Sequence, residues 1–280
     1  MAQQRRFSQL DVFSAVPLLG NPLAVVHDGS GLSDEQMAAF ARWTNLSETT
    51  FLLPPTHAES DYRVRIFTPQ RELPFAGHPT LGSCHAWLSG GGVARHDHEV
   101  IQQCGVGLVR IRRDGARLAF AAPKLLRSGP LEPELLERIV RGLGLAASDV
   151  LDHQWVDNGP GWSAVRLASA ERVLQLKPDY ALLRGIKLGV VAPHAAGRGD
   201  AQFEVRALIG EASGYEDPVT GSLNASLAQW LIGSGVAAAQ YVAAQGAALQ
   251  RAGRVHVRQD GAEVWIGGDV CVVVAGTVAL

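Results

Sequence analysis

The sequence predicts an α+β protein of two like halves, each made of several strands around one central helix. Three observations predict it. The first is a pattern that occurs twice, as Gly77-His78-Pro79-Thr80-Leu81-Gly82-Ser83-Cys84-His85-Ala86-Trp87-Leu88 and as Glu216-Asp217-Pro218-Val219-Thr220-Gly221-Ser222-Leu223-Asn224-Ala225-Ser226-Leu227. Laid together without a gap at an offset of 139 residues, Pro, Gly, Ser, Ala and Leu coincide, and His78 falls opposite Asp217. That offset is about half of the 280-residue chain, as a duplication requires. The second is that short stretches around both copies alternate apolar and polar side chains, the period-two signature of strands. The third is that the longest apolar runs, such as Val270 to Val274, are strand-sized and too short to span a membrane.

Composition fits this reading. Apolar residues make up 47% and charged residues 19%, which suits a folded domain and not a disordered one. A chain of this length buries one large core or two ordinary ones, and the halved repeat favours two. The net charge of −2 supplies no basic field for phosphate backbones, so nucleic acid is not an expected partner. The opening Met1 to Phe7 runs into a strand-like stretch without an apolar signal region. Cys84, Cys104 and Cys271 form an odd, scattered set without metal spacing, which reads as buried thiols in a reduced, cytoplasmic protein.

Taken in order, residues 7–13 and 22–26 are patterned as strands. Ser33-Asp34-Glu35-Gln36 forms a capping box, followed by a helix with Met37, Phe40 and Ala41 on its apolar stripe, fading near Thr44-Asn45. Phe51-Leu52-Leu53 is a short strand stopped by Pro54-Pro55, and residues 62–67 alternate as another. Pro79 suits a helix's first turn, where its missing donor costs nothing, and the helix runs to about Leu88 before Gly90-Gly91-Gly92. Strands follow at 100–113 and 116–121. The Pro123 to Pro130 stretch and the repeat offset place the boundary there, giving halves 1–124 and 125–280, with the last strand free to cross back. The second half reads as a helix from Pro133 to Arg141, strands near 163–168, 186–192 and 202–208, a helix from Thr220 to Ile232, and strands at 254–258, 263–266 and 270–275.

The chemistry starts from the two motif copies. A helix N-terminus exposes free backbone donors and positive partial charge, so it binds carboxylate or phosphate. Two such starts would grip an anionic substrate between His78 and Asp217, with Thr80, Ser83, Thr220 and Ser222 as hydroxyl donors. One copy alone is more simply a tight helix start with Asp217 as its cap. Both together favour the clamp. Glu48, in Asn45-Leu46-Ser47-Glu48-Thr49-Thr50-Phe51, sits between helix and strand; on spacing alone it is a capping or solvated residue.

Other signals are discounted. The G-x-G-x-x-A string from Gly142 ends a helix instead of following a strand, so Gly142 is a helix stop. His96-Asp97-His98-Glu99 reads as a solvated turn rather than a metal site. Tyr180, Trp230 and Trp265 are core or packing aromatics. The segment Trp155 to Trp162 is either a plain turn or a device that brings Asn158 and the Gly159 backbone to the cleft.

In order along the chain, Asp11-Val12-Phe13, Gly20-Asn21-Pro22-Leu23-Ala24-Val25-Val26, Asn45-Leu46-Ser47-Glu48-Thr49, Arg65-Ile66-Phe67-Thr68-Pro69, Pro74-Phe75-Ala76-Gly77-His78-Pro79-Thr80 and Glu216-Asp217-Pro218-Val219-Thr220-Gly221-Ser222 strongly resemble the phenazine-biosynthesis isomerase (PhzF-like) family. Gln245-Gly246, Gly253-Arg254-Val255 and Val264-Trp265-Ile266-Gly267-Gly268 extend the match nearly end to end. The resemblance implies a fold similar to diaminopimelate epimerase: two like domains related by pseudo-twofold symmetry, each a barrel-like, mostly antiparallel sheet around a central helix, with the active site between them. It also implies no cofactor, no metal and a homodimer. It gives Glu48 the part of catalytic acid/base and makes His78 and Asp217 its assistants, with Ser222 and the backbone near Gly77 and Gly221 holding the substrate. A carboxylate closed between two domains loses water, and its pKa is then expected to rise toward neutrality.

Two departures bear on the substrate. The two-thiol racemases of this fold carry cysteines at the central helix starts, where this chain has Ala76 and Pro218, with Cys84 further inside. Asn224 stands where many family members have a histidine like His85. The expectation is a cofactor-independent isomerase that moves a proton on a small carboxylate-bearing substrate. The alternatives are an amino-acid racemase or epimerase, and a non-catalytic small-molecule binding protein of the same fold.

Overall fold

The computed structural model describes residues 2–197, 199–211 and 213–280. The chain divides into two units, residues 1–121 with 267–280, and residues 122–266.

The first unit contains β1 (Gln4–Val12), β2 (Asn21–Val26), α1 (Asp34–Thr44), β3 (Glu48–Leu53), β4 (Tyr62–Phe67), β5 (Glu72–Leu73), α2 (Gly77–Ser89), β6 (Glu99–Cys104), β7 (Gly107–Asp114) and β8 (Arg117–Ala121). Strands β1/β2, β3/β4, β4/β5, β6/β7 and β7/β8 pair antiparallel, while β2/β3 and β4/β6 are parallel. The capping box at Ser33 and Gln36 forms with both of its hydrogen bonds, and Asn45 closes α1 in the left-handed region at φ 54°. Met37, Phe40 and Ala41 then pack with Val26, Phe51 and Phe67. The strand expected over 100–113 is two strands. Its chain reverses at Gly107, whose φ of 102° is open to glycine and costly for other residues.

The second unit contains α3 (Pro133–Gly142), β9 (Asp152–Trp155), β10 (Trp162–Arg166), α4 (Ala170–Leu174), β11 (Lys187–Pro193), β12 (Phe203–Ile209), β13 (Tyr215–Asp217), α5 (Gly221–Gly233), β14 (Gln240–Gln245), β15 (Gly253–Asp260) and most of β16 (Glu263–Gly268). Its pairings repeat those of the first unit. Strands β9/β10, β11/β12, β12/β13 and β14/β15 are antiparallel, and β10/β11 and β12/β14 are parallel. The last strand, β17 (Val270–Ala279), belongs to the first unit and pairs antiparallel with β1. The second unit's outer core gathers Ile139 of α3 and Leu143 just after it, Val173 of α4, and Val165, Leu188, Val190 and Leu208 of the sheet. Trp230 and Trp265 are buried, and Tyr180 packs against this core.

Both central helices are apolar nearly all round, as helices buried inside a sheet are. Close packing fixes them. A Cβ on Gly82 of α2 would lie 2.5 Å from Leu23 Cδ2 of β2, and a Cβ on Gly189 of β11 would lie 2.6 Å from Leu223 Cδ1 of α5. The gap-free offset of 139 is corrected here, because the helices begin at Gly77 and Gly221, 144 residues apart. His78 is therefore the second residue of its helix, while Asp217 ends a strand before the other helix. The coincidence of Pro, Gly and Ser at 139 reflects similar composition at two tight turns, whereas the order of elements carries the duplication. Among the described residues, no helix is long and apolar enough to cross a membrane.

Candidate active site

In the first unit, Glu48 opens β3, three residues beyond the left-handed Asn45, and pairs in register with Leu23 of the parallel β2. His78 lies in the first turn of α2. The two side chains meet, with His78 Nε2 3.3 Å from Glu48 Oε2, at 6% and 16% exposure. On the other side of the ring, Asn21 Nδ2 lies 3.4 Å from His78 Nδ1. Asn21 is set by the turn before β2, where Gly20 N–H donates to the buried Asp11 carboxylate. Gly20 is needed there, since a Cβ would come within 2.5 Å of the Val12 carbonyl oxygen.

Burial pushes the His78 imidazole down to about 3, against the opposing effect of a hydrogen bond to the Pro22 backbone. The ring is thus neutral near pH 7, with one hydrogen to place. The nitrogen that faces Glu48 Oε2 is Nε2, and a neutral imidazole carries its hydrogen on one ring nitrogen and a lone pair on the other.

Neither central helix receives a side-chain cap, in contrast to α1, and neither carries an acid in its first turn. Such starts are suited to an external anion. Gly77 is buried at the first of them. Thr80 is fully buried, and its hydroxyl accepts from Gln102 Nε2 at 3.1 Å, while Gln102 Oε1 accepts from Tyr62 at 2.7 Å. That places Thr80 as an anchor of α2 on β6. Ser83 is likewise fully buried and donates to Thr50.

In the second unit, Asp217 ends β13 and its Oδ2 accepts from Thr220 Oγ1 at 2.5 Å. Buried Gln245 donates to the Asp217 carbonyl and to Thr220 Oγ1, both at 3.0 Å, and accepts from Thr220 N at 3.1 Å and Asn224 Nδ2 at 2.8 Å. Asn224 also holds the Thr220 carbonyl. Gly221 is buried at the helix start, and Ser222 is part-exposed. The Ser222 hydroxyl oxygen accepts from Trp162 Nε1 at 3.1 Å, and its carbonyl accepts from Asn158 Nδ2 at 2.9 Å. Asn158 therefore reaches α5 from a turn shaped by Asp157, whose Oδ1 accepts from the Gly159 and Gly161 amides.

Sequence spacing did not single out Asn21, Gln102, Gln245 or Trp162 for a role at the site. The available signal was a polar side chain inside an otherwise buried element. Cys84 is fully buried, and desolvation pushes its thiol up to about 12, so it supplies no thiolate at neutral pH.

The profile of the PhzC-PhzF family, described as phenazine biosynthesis-like protein, matches residues 10–276. The chain is 37% identical over 234 residues to antisense-enhancing sequence 1 of Schizosaccharomyces pombe, covering 78% of this chain and 77% of that protein. It is 34% identical over 266 residues to the trans-2,3-dihydro-3-hydroxyanthranilate isomerase of Pseudomonas aeruginosa, covering 92% and 91%. Its fold is that of a PhzF-family protein from Enterococcus faecalis, with a TM-score of 0.83 and 24% identity over 99% of this chain and 100% of that one. By its matched length and these relatives, the chain belongs to the phenazine biosynthesis-like (PhzF) family of isomerases.

Proposed function

We propose that this isomerase moves a proton on a small carboxylate-bearing substrate by general acid/base catalysis, without a cofactor. The observation that carries the reading is the contact of Glu48 with a buried, neutral His78. Glu48 removes a proton from a carbon activated by a neighbouring carboxylate or double bond. The electron pair left behind shifts into that unsaturated group, and the proton returns at a different carbon of the same acid. His78 faces Glu48 as a neutral ring and assists its proton transfer. The uncapped start of α2 offers its free N–H groups to the substrate carboxylate. The family resemblance also gives Asp217 and Ser222 a part in the reaction, and the start of α5 beside them is uncapped like that of α2.

The substrate class is approached through the relative named for trans-2,3-dihydro-3-hydroxyanthranilate, an acid of the expected kind. That compound and other unsaturated small acids, incubated in deuterated water, should gain deuterium with the wild type. Glu48→Gln keeps the shape and removes the base, so exchange should fall by roughly 10²–10⁴-fold. Unchanged exchange in the variant, or calorimetric binding of the acids with no exchange in the wild type, overturns the assignment. Two-thiol racemisation is set aside because Ala76 and Pro218 stand near the helix starts and Cys84 is buried as a thiol. Chiral chromatography of the product checks this directly.

A further inference from the structure

We infer that Gln245 is a positioning residue for the reaction: its amide orients Thr220 so that the hydroxyl donates to Asp217, which favours Asp217 as an ionised acceptor. The inference rests on the reading of Asp217 as part of the proton-transfer site. It follows from hydrogen-bond directions, which two backbone groups set at Gln245. The Thr220 backbone N–H is only a donor, so the Gln245 atom 3.1 Å away is the amide oxygen. The Asp217 backbone carbonyl is only an acceptor, so the atom 3.0 Å from it is the amide nitrogen. Two backbone groups thereby fix both ends of the side-chain amide, which is otherwise the ambiguous part of such a group.

Asn224 agrees with this orientation. Its Nδ2 donates to the Thr220 carbonyl at 2.9 Å, and the same nitrogen faces the Gln245 oxygen at 2.8 Å. With Gln245 oriented, its nitrogen also donates to Thr220 Oγ1 at 3.0 Å. The hydroxyl oxygen has accepted, and its own hydrogen points to Asp217 Oδ2, 2.5 Å away. A hydroxyl oxygen can accept twice, so it is the donation of its own hydrogen to Asp217 Oδ2, added to the Gln245 contact, that disfavours a proton on that oxygen. The chain Asn224, Gln245, Thr220, Asp217 is therefore polarised in one direction, and it ends on a carboxylate. Gln245 and Asn224 are each 1% exposed, so water does not substitute for either.

The first unit shows what such a glutamine does where no acid follows. Gln102 donates to Thr80 in the same way, but the chain starts from the Tyr62 hydroxyl and ends in α2. Both glutamines anchor a central helix. Gln245 alone has a carboxylate beyond its threonine.

The test has a substrate-free readout and a kinetic one. In proton NMR of the intact protein, the Thr220 hydroxyl should give a slowly exchanging downfield resonance that is absent in Thr220→Val and lost in Gln245→Glu. The glutamate keeps the oxygen that Thr220 N and Asn224 use and removes the donor. In turnover of the acid found by deuterium exchange, each variant should lower kcat by roughly 10–100-fold, as expected for a hydrogen bond to a charged group, with KM within threefold. The double variant should be no worse than the weaker single, because both break one chain. Additive losses, a KM effect with kcat retained, or a hydroxyl resonance that survives in Gln245→Glu overturn the proposal. If Gln245→Glu does not fold, Thr220→Val decides alone, and full kcat in it is decisive against. Asp217→Asn separates the two readings. If it retains activity, the assignment of Asp217 fails; if it is inactive while both other variants behave as wild type, only this inference fails.

Discussion

At the residue scale, the site depends on how burial sets the charge of histidine. Desolvation pushes His78 down to about 3; His27, with its Nε2 2.9 Å from Ser8 Oγ, goes down to about 4 through burial and then the nearby Arg6. Both are below the ordinary 6.5, so between about pH 6.5 and these values the unfolded chain binds more protons than the folded one. Stability from these groups is full above pH 6.5 and is lost as the pH falls toward 3 to 4. Nitrogen NMR of the imidazoles should show His78 neutral at pH 5, where an exposed histidine is mostly charged, and urea midpoints should drop from pH 7 to pH 4. A His78 resonance that titrates near 6.5 would contradict the neutral ring on which the Glu48 pairing depends. This environment was not legible in the sequence. Gly77-His78-Pro79 marks a helix start, but the partners Asn21 and Glu48 come from distant segments, and only the fold brings them to one ring. The same distance explains why spacing alone left Glu48 as a capping or solvated residue.

At the element scale, the strand before α5 is held by a buried ion pair. Arg206 of β12 meets Glu216 of β13 through two hydrogen bonds, of 3.0 Å and 2.7 Å, at 6% and 5% side-chain exposure. Its remaining nitrogen donates to the Val173 and Leu176 carbonyls at the end of α4. One guanidinium therefore ties α4, β12 and β13 together, and β13 carries Asp217. Arg65 likewise makes two hydrogen bonds to one carboxylate, Glu72, and a third to Asp34, but those partners are 42% and 75% exposed. Removing one member of a buried pair leaves an uncompensated charge and costs about 3–5 kcal/mol, whereas a surface pair is worth about 0–1 kcal/mol. Arg206→Ala should thus lower the urea-derived stability several times more than Arg65→Ala. Equal losses would show that burial is not what distinguishes them. The Ser33 capping box was legible, whereas the stop of α3 was misplaced: Gly142 is its last residue, packed against Leu183, and the left-handed glycine that ends it is Gly144 at φ 64°. The short β13 and α4 were not legible, because neither is long enough to show a period, and both are held in place by Arg206.

At the scale of the whole chain, the duplication was legible as two motif copies, but its true register was not. Composition at tight turns aligned His78 with Asp217, whereas the pairing order of strands sets α2 against α5 and gives the two residues different stations. The same pairing order explains why the chain's two ends meet. β1 and β17 pair from Gln4 and Ala279 through to Val12 and Val270, and Gln3 and Leu280 exchange backbone hydrogen bonds of 2.7 Å and 3.0 Å. The first unit is therefore completed by a strand that arrives only after the second unit has been made. A circular permutant should tolerate this being undone: a short linker from Leu280 back to the N-terminus, with new ends opened between the exposed Lys124 and the half-buried Leu125, makes both units nearly continuous. Its melting temperature should lie within about 5 °C of the wild type, since every native strand pairing is retained. Deleting residues 270–280 should instead strip β1 of its outer partner and unfold the first unit, because the strand left behind has an open ladder with nothing to satisfy it. Circular dichroism and thermal melts separate the two outcomes. A permutant that fails to fold while its strand pairings remain possible would mean that the order of synthesis, and not the native contacts alone, brings β17 to β1.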